Sequence, residues 1–375
     1  MFPFMIIAIL VHVWGRGKNK RKAKKWMAVH APLLDSEFAL VGFADTPKRP
    51  DRDKIQGDSL LKASVKLSGD NLSPDYLKEK TAAEYQTYAT GRQNVAFMDV
   101  KLQLIKRYSP ATLVGEYIAS FFFESFGAPT DRLEAVLYTF DGREKEFVPP
   151  PVPGSEEIDR KTPNTGSSSY DAFVFAVVNK MSMRRLRDER YDVSLASTKD
   201  NPKLPNWATV MSESAEVTET LLTKDLISAI EQAGEDLEYL IVTDQPIDKP
   251  ASLDDTVPKK RIQLSLKLPA SEFYEACLPL FQAVIRLPDH LVSAAHFRPE
   301  VIRKITATRD AEIKKLKKVS DEEAEEERRK ASEKLKKEER DRKMKGMSAE
   351  EQRKFVEKEA ERSRKKQEKK MTRKG

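Results

Sequence analysis

The sequence predicts an α+β fold: a mixed-sheet cytosolic domain with an N-terminal single membrane anchor and a long charged C-terminal helical arm. Three observations predict it. The first fourteen residues hold no charged side chain, strand-like alternations and helical periods interleave between residues 38 and 298, and from residue 299 almost every residue favours helix. Charge divides along the same lines. Arg16 to Lys25 holds seven Lys/Arg and no acid, residues 26–300 hold 32 Lys/Arg against 42 Asp/Glu, and residues 301–375 hold 28 against 18. An acidic body between two basic ends points to anionic surfaces at those ends, lipid headgroups or nucleic-acid phosphates, and away from a uniformly basic nucleic-acid binder. Cys277 is the single cysteine, so an internal disulfide and a zinc site needing two thiolates are both excluded, in keeping with a reducing compartment.

Residues 1–15, with Phe4, Ile6, Ile7, Ile9, Leu10, Val11, Val13 and Trp14, read as the transmembrane anchor. The charge follows the apolar run, the reverse of a secretory signal, and no small-x-small cleavage site appears. The positive-inside rule keeps Arg16, Lys18, Lys20, Arg21, Lys22, Lys24 and Lys25 in the cytosol, which places the N-terminus in the lumen and the body in the cytosol. Fourteen helical residues rise only about 21 Å, short of the roughly 20 residues a span needs. An interfacial segment that does not span, or an apolar stretch packed on the domain, are the alternatives. Under the anchor reading Trp14 and Trp26 sit near the headgroups, and each basic residue of the cluster gains about 1 kcal/mol near an anionic leaflet.

Residues 16–37 form a basic juxtamembrane helix whose less polar side carries Trp26, Met27 and His30. It leads into a short strand at Phe38 to Phe43. The domain, residues 38–298, is interrupted by two stretches that lose periodicity and gather Pro, Gly, Asp and Ser, near 46–78 and 148–169; both read as disordered loops. Between them Tyr85 to Ala89 pairs, and Ala96, Met98, Val100, Leu102 and Leu104 alternate with Phe97, Asp99, Lys101 and Gln103 as a half-buried strand does. Ser109-Pro110 opens a helix that carries Leu113, Tyr117, Ile118, Phe121 and Phe122 and ends at Gly127. Leu133 to Phe140 is a strand closed by Asp141-Gly142. Further on come an apolar strand at Asp171 to Val178, a basic helix at Met181 to Arg190, one helix from Ala215 to Gly234, and strands at Leu237 to Thr243 and Arg261 to Leu268.

The arm, residues 299–375, shows capping-box spacing at Ser320/Glu323 and Ser348/Glu351, which predicts fresh helix starts there and a break at Gly346. Acid-before-base pairs four apart, Glu325/Arg329, Glu326/Lys330, Glu333/Lys337 and Glu361/Lys365 among them, support helix in water by roughly 0.2–0.5 kcal/mol each. Ile313, Leu316 and Val319 begin an apolar stripe that Leu335, Met344 and Phe355 do not continue in register. Coiled-coil pairing through the arm, as a membrane-tethered interaction protein would use it, is therefore the alternative reading. The tip is cationic, with Arg362, Arg364, Lys365, Lys366, Lys369, Lys370, Arg373 and Lys374 against Glu368. Such a tip suits the phosphates of structured RNA, with salt-dependent binding. No enzyme is expected, and no catalytic, cofactor or metal residues. His12, His30, His290 and His296 lack a paired ligand motif, and the Gly-rich phosphate-binding and G-x-S-x-G signatures are missing.

Several stretches together resemble one family. Gly17-Lys18-Asn19-Lys20, Ala23, Trp26, Leu34, Glu37-Phe38 and Val41-Gly42 are similar to the juxtamembrane segment of the calumin family, also called coiled-coil domain-containing protein forty-seven. Tyr88, Gly91-Arg92, Phe173 to Val177, Ser214 to Thr218, Asp244-Gln245 and the tail from Glu322 to Met344, with Lys365 to Lys370, extend the likeness over nearly the whole chain. The resemblance implies a subunit of the PAT complex, an intramembrane chaperone of the translocon for multipass membrane proteins in the endoplasmic reticulum. It implies as partners the ribosome, through ribosomal RNA near the tunnel exit, a Sec-type channel, the small membrane protein Asterix, other subunits of the multipass translocon and an anionic membrane surface. Under it Arg16 to Trp26 becomes the membrane-proximal helix, and the Lys/Arg set from Arg362 to Lys374 meets the RNA. Animal members carry an acidic luminal region before the span, to which calcium binding is attributed. This chain begins at the apolar run, so no calcium role is expected of it.

Overall fold

In the computed structural model ten antiparallel strands form a single sheet within the first of two units, Met1–Arg309; the second is Asp310–Gly375. The structure describes residues 2–43, 73–123, 127–140 and 170–345, together with Glu357, Glu361, Arg364 and Lys365. The strands are β1 (Leu40–Val41), β2 (Lys78–Thr81), β3 (Glu84–Arg92), β4 (Val95–Gln103), β5 (Arg132–Thr139), β6 (Phe175–Asn179), β7 (Ser197–Lys199), β8 (Ala208–Ser212), β9 (Leu237–Thr243) and β10 (Arg261–Lys267). The helices are α1 (Phe2–Glu37), α2 (Pro110–Phe122), α3 (Lys180–Glu189), α4 (Tyr191–Ser194), α5 (Ala215–Leu221), α6 (Lys224–Ala233), α7 (Leu278–Ala294) and α8 (Pro299–Lys345).

Strand order is β1-β3-β4-β5-β10-β9-β6-β8-β7, with β2 also pairing with β3. The expected mixed sheet is therefore wrong: every pairing among the described residues is antiparallel. The connection through α5 and α6 from β8 to β9 is long enough to set two strands parallel and adjacent. Instead β6 lies between them and runs against both, pairing Phe175 with Ser212 on one side and with Val242 on the other.

Period-2 patterning fixes the faces. In β4, Met98, Val100 and Leu102 are buried, while Phe97, Asp99 and Lys101 are half-buried on the other face. Ala96 leaves the predicted alternation, and Val95 is buried instead, because the register shifts between Val95 and Phe97 against β5. β6 is buried along its whole length. Phe175 and Val177 join the main core, and Val174, Ala176 and Val178 join a second core with Leu186 of α3, Val193 of α4 and Met211. An apolar run without alternation is thus a central strand covered on both sides.

The main core is closed by α1, α6 and α7, with Trp26, Met27, Leu34, Phe281, Ile285 and Ile230 buried. Trp26 is 1% exposed, stacks on His30 at 4.3 Å and meets the edge of Phe281 at 5.9 Å. It cannot sit at lipid headgroups as the sequence suggested, because α1 packs this face against α7. Predicted boundaries fail where local chemistry intervenes. The helix expected from Ala215 to Gly234 is two, broken where the Thr223 side chain accepts from the Leu226 N–H at 3.3 Å. Of the loop expected near 46–78, Pro74–Tyr76 is a helical turn and Lys78 starts β2; residues 44–72 and the stretch 148–169 lie outside the described residues.

α8 runs from Pro299 to Lys345 without a break at Ser320. Helix formers on both sides make continuing the helix cheaper than nucleating a new one, so the capping-box signal is overridden. Within the second unit Lys330 pairs with Glu326 at 2.8 Å and Lys365 with Glu361 at 2.8 Å, as the spacing predicts. Arg329 turns the other way, to Glu333 at 3.9 Å. Gly346 and Ser348 lie outside the described residues.

Candidate functional site

Two apolar surfaces that no core absorbs leave the first unit from one crossing point. Along α1, Ile6, Ile9, Leu10, Val13 and Trp14 are 57–63% exposed and Val11 is half-buried; the described side chains exclude Phe4 and Ile7. α2 buries nothing. Its Val114, Tyr117 and Ile118 are at least half exposed, Phe121 and Phe122 are 85% and 72% exposed, and Phe123 follows at 61%. The sequence foresaw this helix and its apolar residues, but α2 ends at Phe122, ahead of the predicted Gly127, and of those residues only Leu113 is half-buried while Tyr117, Ile118, Phe121 and Phe122 are exposed. A contiguous exposed apolar surface of this kind marks a membrane or protein contact.

Gly15 makes the crossing possible. A Cβ there would stand 2.5 Å from the Arg107 carbonyl carbon and oxygen and the Tyr108 nitrogen, so only glycine lets α1 pass over this loop. The His12 ring meets the edge of Tyr108 at 5.4 Å, and Lys106 reaches Glu116 of α2 at 2.6 Å. Among the described residues, however, no helix is long and apolar enough to cross a membrane. The anchor expected over residues 1–15 appears as the exposed apolar end of a helix that continues without interruption into the core.

Below that end the basic residues divide by function. Arg16 is held by Glu79 at 2.7 Å, Lys20 lies 3.8 Å from the same carboxylate, and Lys25 pairs with Glu272. Lys18 sits over the Trp14 ring at 5.3 Å, Arg21 is exposed and Lys24 half-buried. Lys22 is not part of a lipid-facing cluster: it is 5% exposed and bonds Asp131 at 2.8 Å. Arg107 grips the same carboxylate with two bonds of 2.8 and 2.6 Å, and the Ile105 N–H adds a fourth at 2.9 Å. Asn19, fully buried, donates to Ala82 O and Ile105 O and accepts from Arg107. Burial favours the neutral Asp131 carboxyl, yet the bonds from Arg107, Lys22 and Ile105 outweigh it and hold the group down at about 2. Sequence spacing gave no sign that Lys22 differs from its neighbours, because its partner lies 109 residues away.

A second buried clamp fixes the first turns of α8. Arg309 binds Asp244 at 2.6 and 3.0 Å and Glu213 at 2.9 and 3.1 Å, and both carboxylates are almost fully buried. Burial opposes the Arg309 charge, but the two carboxylates more than compensate and raise its pKa well above the usual guanidinium value. Of the predicted RNA-binding set, Arg364 is helical and exposed and Lys365 is exposed beside Glu361. Arg362, Lys366, Lys369, Lys370, Arg373 and Lys374 lie outside the described residues.

The histidines are committed locally. His30 bonds the Trp26 carbonyl at 3.0 Å, and burial lowers its pKa to about 4; His290 bonds Thr220 O at 2.9 Å and His296 bonds Val292 O at 3.1 Å. Among the described residues no group of three or more His, Cys, Asp or Glu is arranged to hold a metal ion.

Comparison with known proteins matches residues 1–366 to a family described as PAT complex subunit CCDC47. Over 252 residues the chain is 31% identical to a UPF0674 endoplasmic reticulum membrane protein of Schizosaccharomyces pombe, covering 64% of this chain and 60% of that protein. A UPF0674 endoplasmic reticulum membrane protein of Saccharomyces cerevisiae is 29% identical, over 44% of this chain and 40% of its own length. PAT complex subunit CCDC47 of Homo sapiens is 24% identical over 76% of this chain and 51% of its own length. The chain spans about half the length of the relatives it matches.

Proposed function

This chain belongs to the PAT complex subunit CCDC47 family, and from that premise we propose that it is a non-enzymatic scaffold at the endoplasmic reticulum membrane. Its apolar α1 end and α2 engage the bilayer from the cytosolic side, single-pass or interfacial, while the domain and the charged arm receive the ribosome. In this reading it assists insertion and folding of multipass membrane proteins within a PAT-type complex. The partners are an Asterix-like small membrane protein, a Sec-type channel, other multipass-translocon subunits, ribosomal RNA near the tunnel exit and the anionic membrane surface. The observation that carries the reading is the pair of exposed apolar elements leaving one crossing, with Arg16, Lys18, Lys20 and Arg21 directly below.

The paired substitution Phe121→Ser and Phe122→Ser tests the membrane contact. Both rings are mostly exposed, so the domain should unfold at an unchanged temperature. Each ring that enters the bilayer contributes about 1.5–3 kcal/mol, so flotation with phosphatidylcholine vesicles should weaken at least tenfold. Equal flotation of the double variant and the wild type would remove α2 from the membrane surface.

The arm has its own readout. Full-length protein should sediment with ribosomes at low salt and be released as salt rises, since phosphate contacts lose affinity steeply through counterion release. Truncation after Met347 removes the cationic tip and should abolish the salt-sensitive fraction. If the truncated chain sediments unchanged, the tip does not meet the RNA.

A further inference from the structure

Beside the basic stretch of α1 lies a cavity of about 240 Å³ whose wall includes Lys20, Lys24, Ser73, Glu79 and Tyr85. Lys20 and Lys24 stand one helical turn apart and so present their ammonium groups on one face. Tyr85 is 1% exposed, and its hydroxyl has no hydrogen-bond partner among the described residues. A buried hydroxyl without a partner carries a desolvation cost that a ligand oxygen or a trapped water removes. Among the described residues of the wall the one carboxylate, Glu79, is already engaged by Arg16 at 2.7 Å and Lys20 at 3.8 Å, so the described wall has a cationic balance.

We propose that this cavity is a binding site for a phosphate monoester, the two lysines meeting the phosphate charge and the Tyr85 hydroxyl donating to one of its oxygens. Burial, with the nearby Glu79 charge, pushes the Tyr85 phenol up to about 12, so at neutral pH it remains a donor, as an anionic acceptor requires. The cavity is smaller than the roughly 300–1,000 Å³ clefts that enclose drug-sized ligands, so it takes a headgroup and not a whole lipid or a nucleotide. Its position suits a membrane source. Lys20 lies six residues past Trp14, about 9 Å along the helix, which is on the order of the depth of the headgroup layer below the hydrocarbon edge. The lipid source rests on the membrane reading above; the cavity chemistry does not, and a free phosphate ester satisfies it equally.

Flotation of the full-length chain separates these cases. Vesicles of phosphatidylcholine with phosphatidic acid, a monoester, are compared with vesicles carrying an equal charge of phosphatidylglycerol, a diester. The wild type should bind the monoester vesicles about tenfold more tightly. Tyr85→Phe should erase that preference and leave phosphatidylglycerol binding unchanged, and Lys24→Gln should erase the preference while weakening binding to both anionic vesicles by about fivefold, the share of one lysine near a charged surface. Tyr85→Phe removes only an unpartnered oxygen, so its unfolding temperature should not fall, and a lost preference then reports the site and not the fold. In parallel, glycerol 3-phosphate added to the wild type should raise the unfolding temperature, and Tyr85→Phe should abolish that rise. A rise with glycerol 3-phosphate but no vesicle binding of any kind keeps the cavity and overturns the membrane reading. If the wild type shows neither a monoester preference nor a rise with glycerol 3-phosphate, or if Tyr85→Phe retains both, the cavity holds water only and the proposal fails.

Discussion

Replacing Asp131 with alanine is expected to lower unfolding free energy by about 3–5 kcal/mol, the usual cost of removing one partner from a buried ion pair. The carboxylate accepts from Lys22, from both arms of Arg107 and from the Ile105 N–H, so its loss leaves Lys22, 5% exposed, as an uncompensated buried cation. The same network ties α1 to the loop that follows β4, so α1 should loosen first. Urea unfolding followed by circular dichroism measures the change; a loss under 1 kcal/mol would show that water replaces the carboxylate without cost. Acid acts on the same group. Its folded pKa of about 2 lies below the unfolded value near 3.9, so the stabilisation is complete above the unfolded value and is lost as pH falls from about 5 through 2. By linkage that contribution is about 2–3 kcal/mol, and Asp131→Asn should flatten this part of the pH profile.

Arg309→Ala should cost a similar amount, about 3–5 kcal/mol, by leaving Glu213 and Asp244, 5% and 2% exposed, facing each other without their shared cation. The effect should concentrate at the first turns of α8, where Arg309 also bonds back to Ile305 O at 3.0 Å. Native-state hydrogen exchange of amides 302–309 should quicken by roughly a hundredfold, as a local opening cheaper by about 3 kcal/mol requires. Exchange in β6 and β9 should follow only the change in global stability. Unchanged exchange at 302–309 would show that the apolar contacts of Ile305 and its neighbours suffice to seat this helix.

Local patterning carried most of the element types. The alternation in β4, the uninterrupted apolar run of β6, the Ser109-Pro110 start of α2 and the helix-forming composition of α8 were all legible in sequence. Long-range geometry was not. Nothing near β6 announces that it inserts between β8 and β9, so the sheet was expected to be mixed. Lys22 sits in a run of basic residues and differs from them only through Asp131, and Arg309 is one charge among many until Glu213 and Asp244 are folded against it. For α2 the sequence names the apolar residues of a helix but not what covers them, because periodicity reports that a helix has an apolar face and nothing about its partner. Tyr85 is in sequence only the first residue of a pairing segment, and its unpartnered hydroxyl shows only in three dimensions.

The 36-residue α1 has a mechanical corollary. At about 1.5 Å per residue it measures roughly 54 Å. One half is clasped by the sheet and α7, and Gly15 wedges its midsection against the Arg107–Tyr108 backbone, so no swivel separates the greasy tip from the globular body. Whatever tilt the tip adopts dictates the attitude of the entire sheet, much as a keel and hull turn together. In the membrane-bound scaffold proposed above, a load leaning on the body would therefore reach the surrounding lipid as torque.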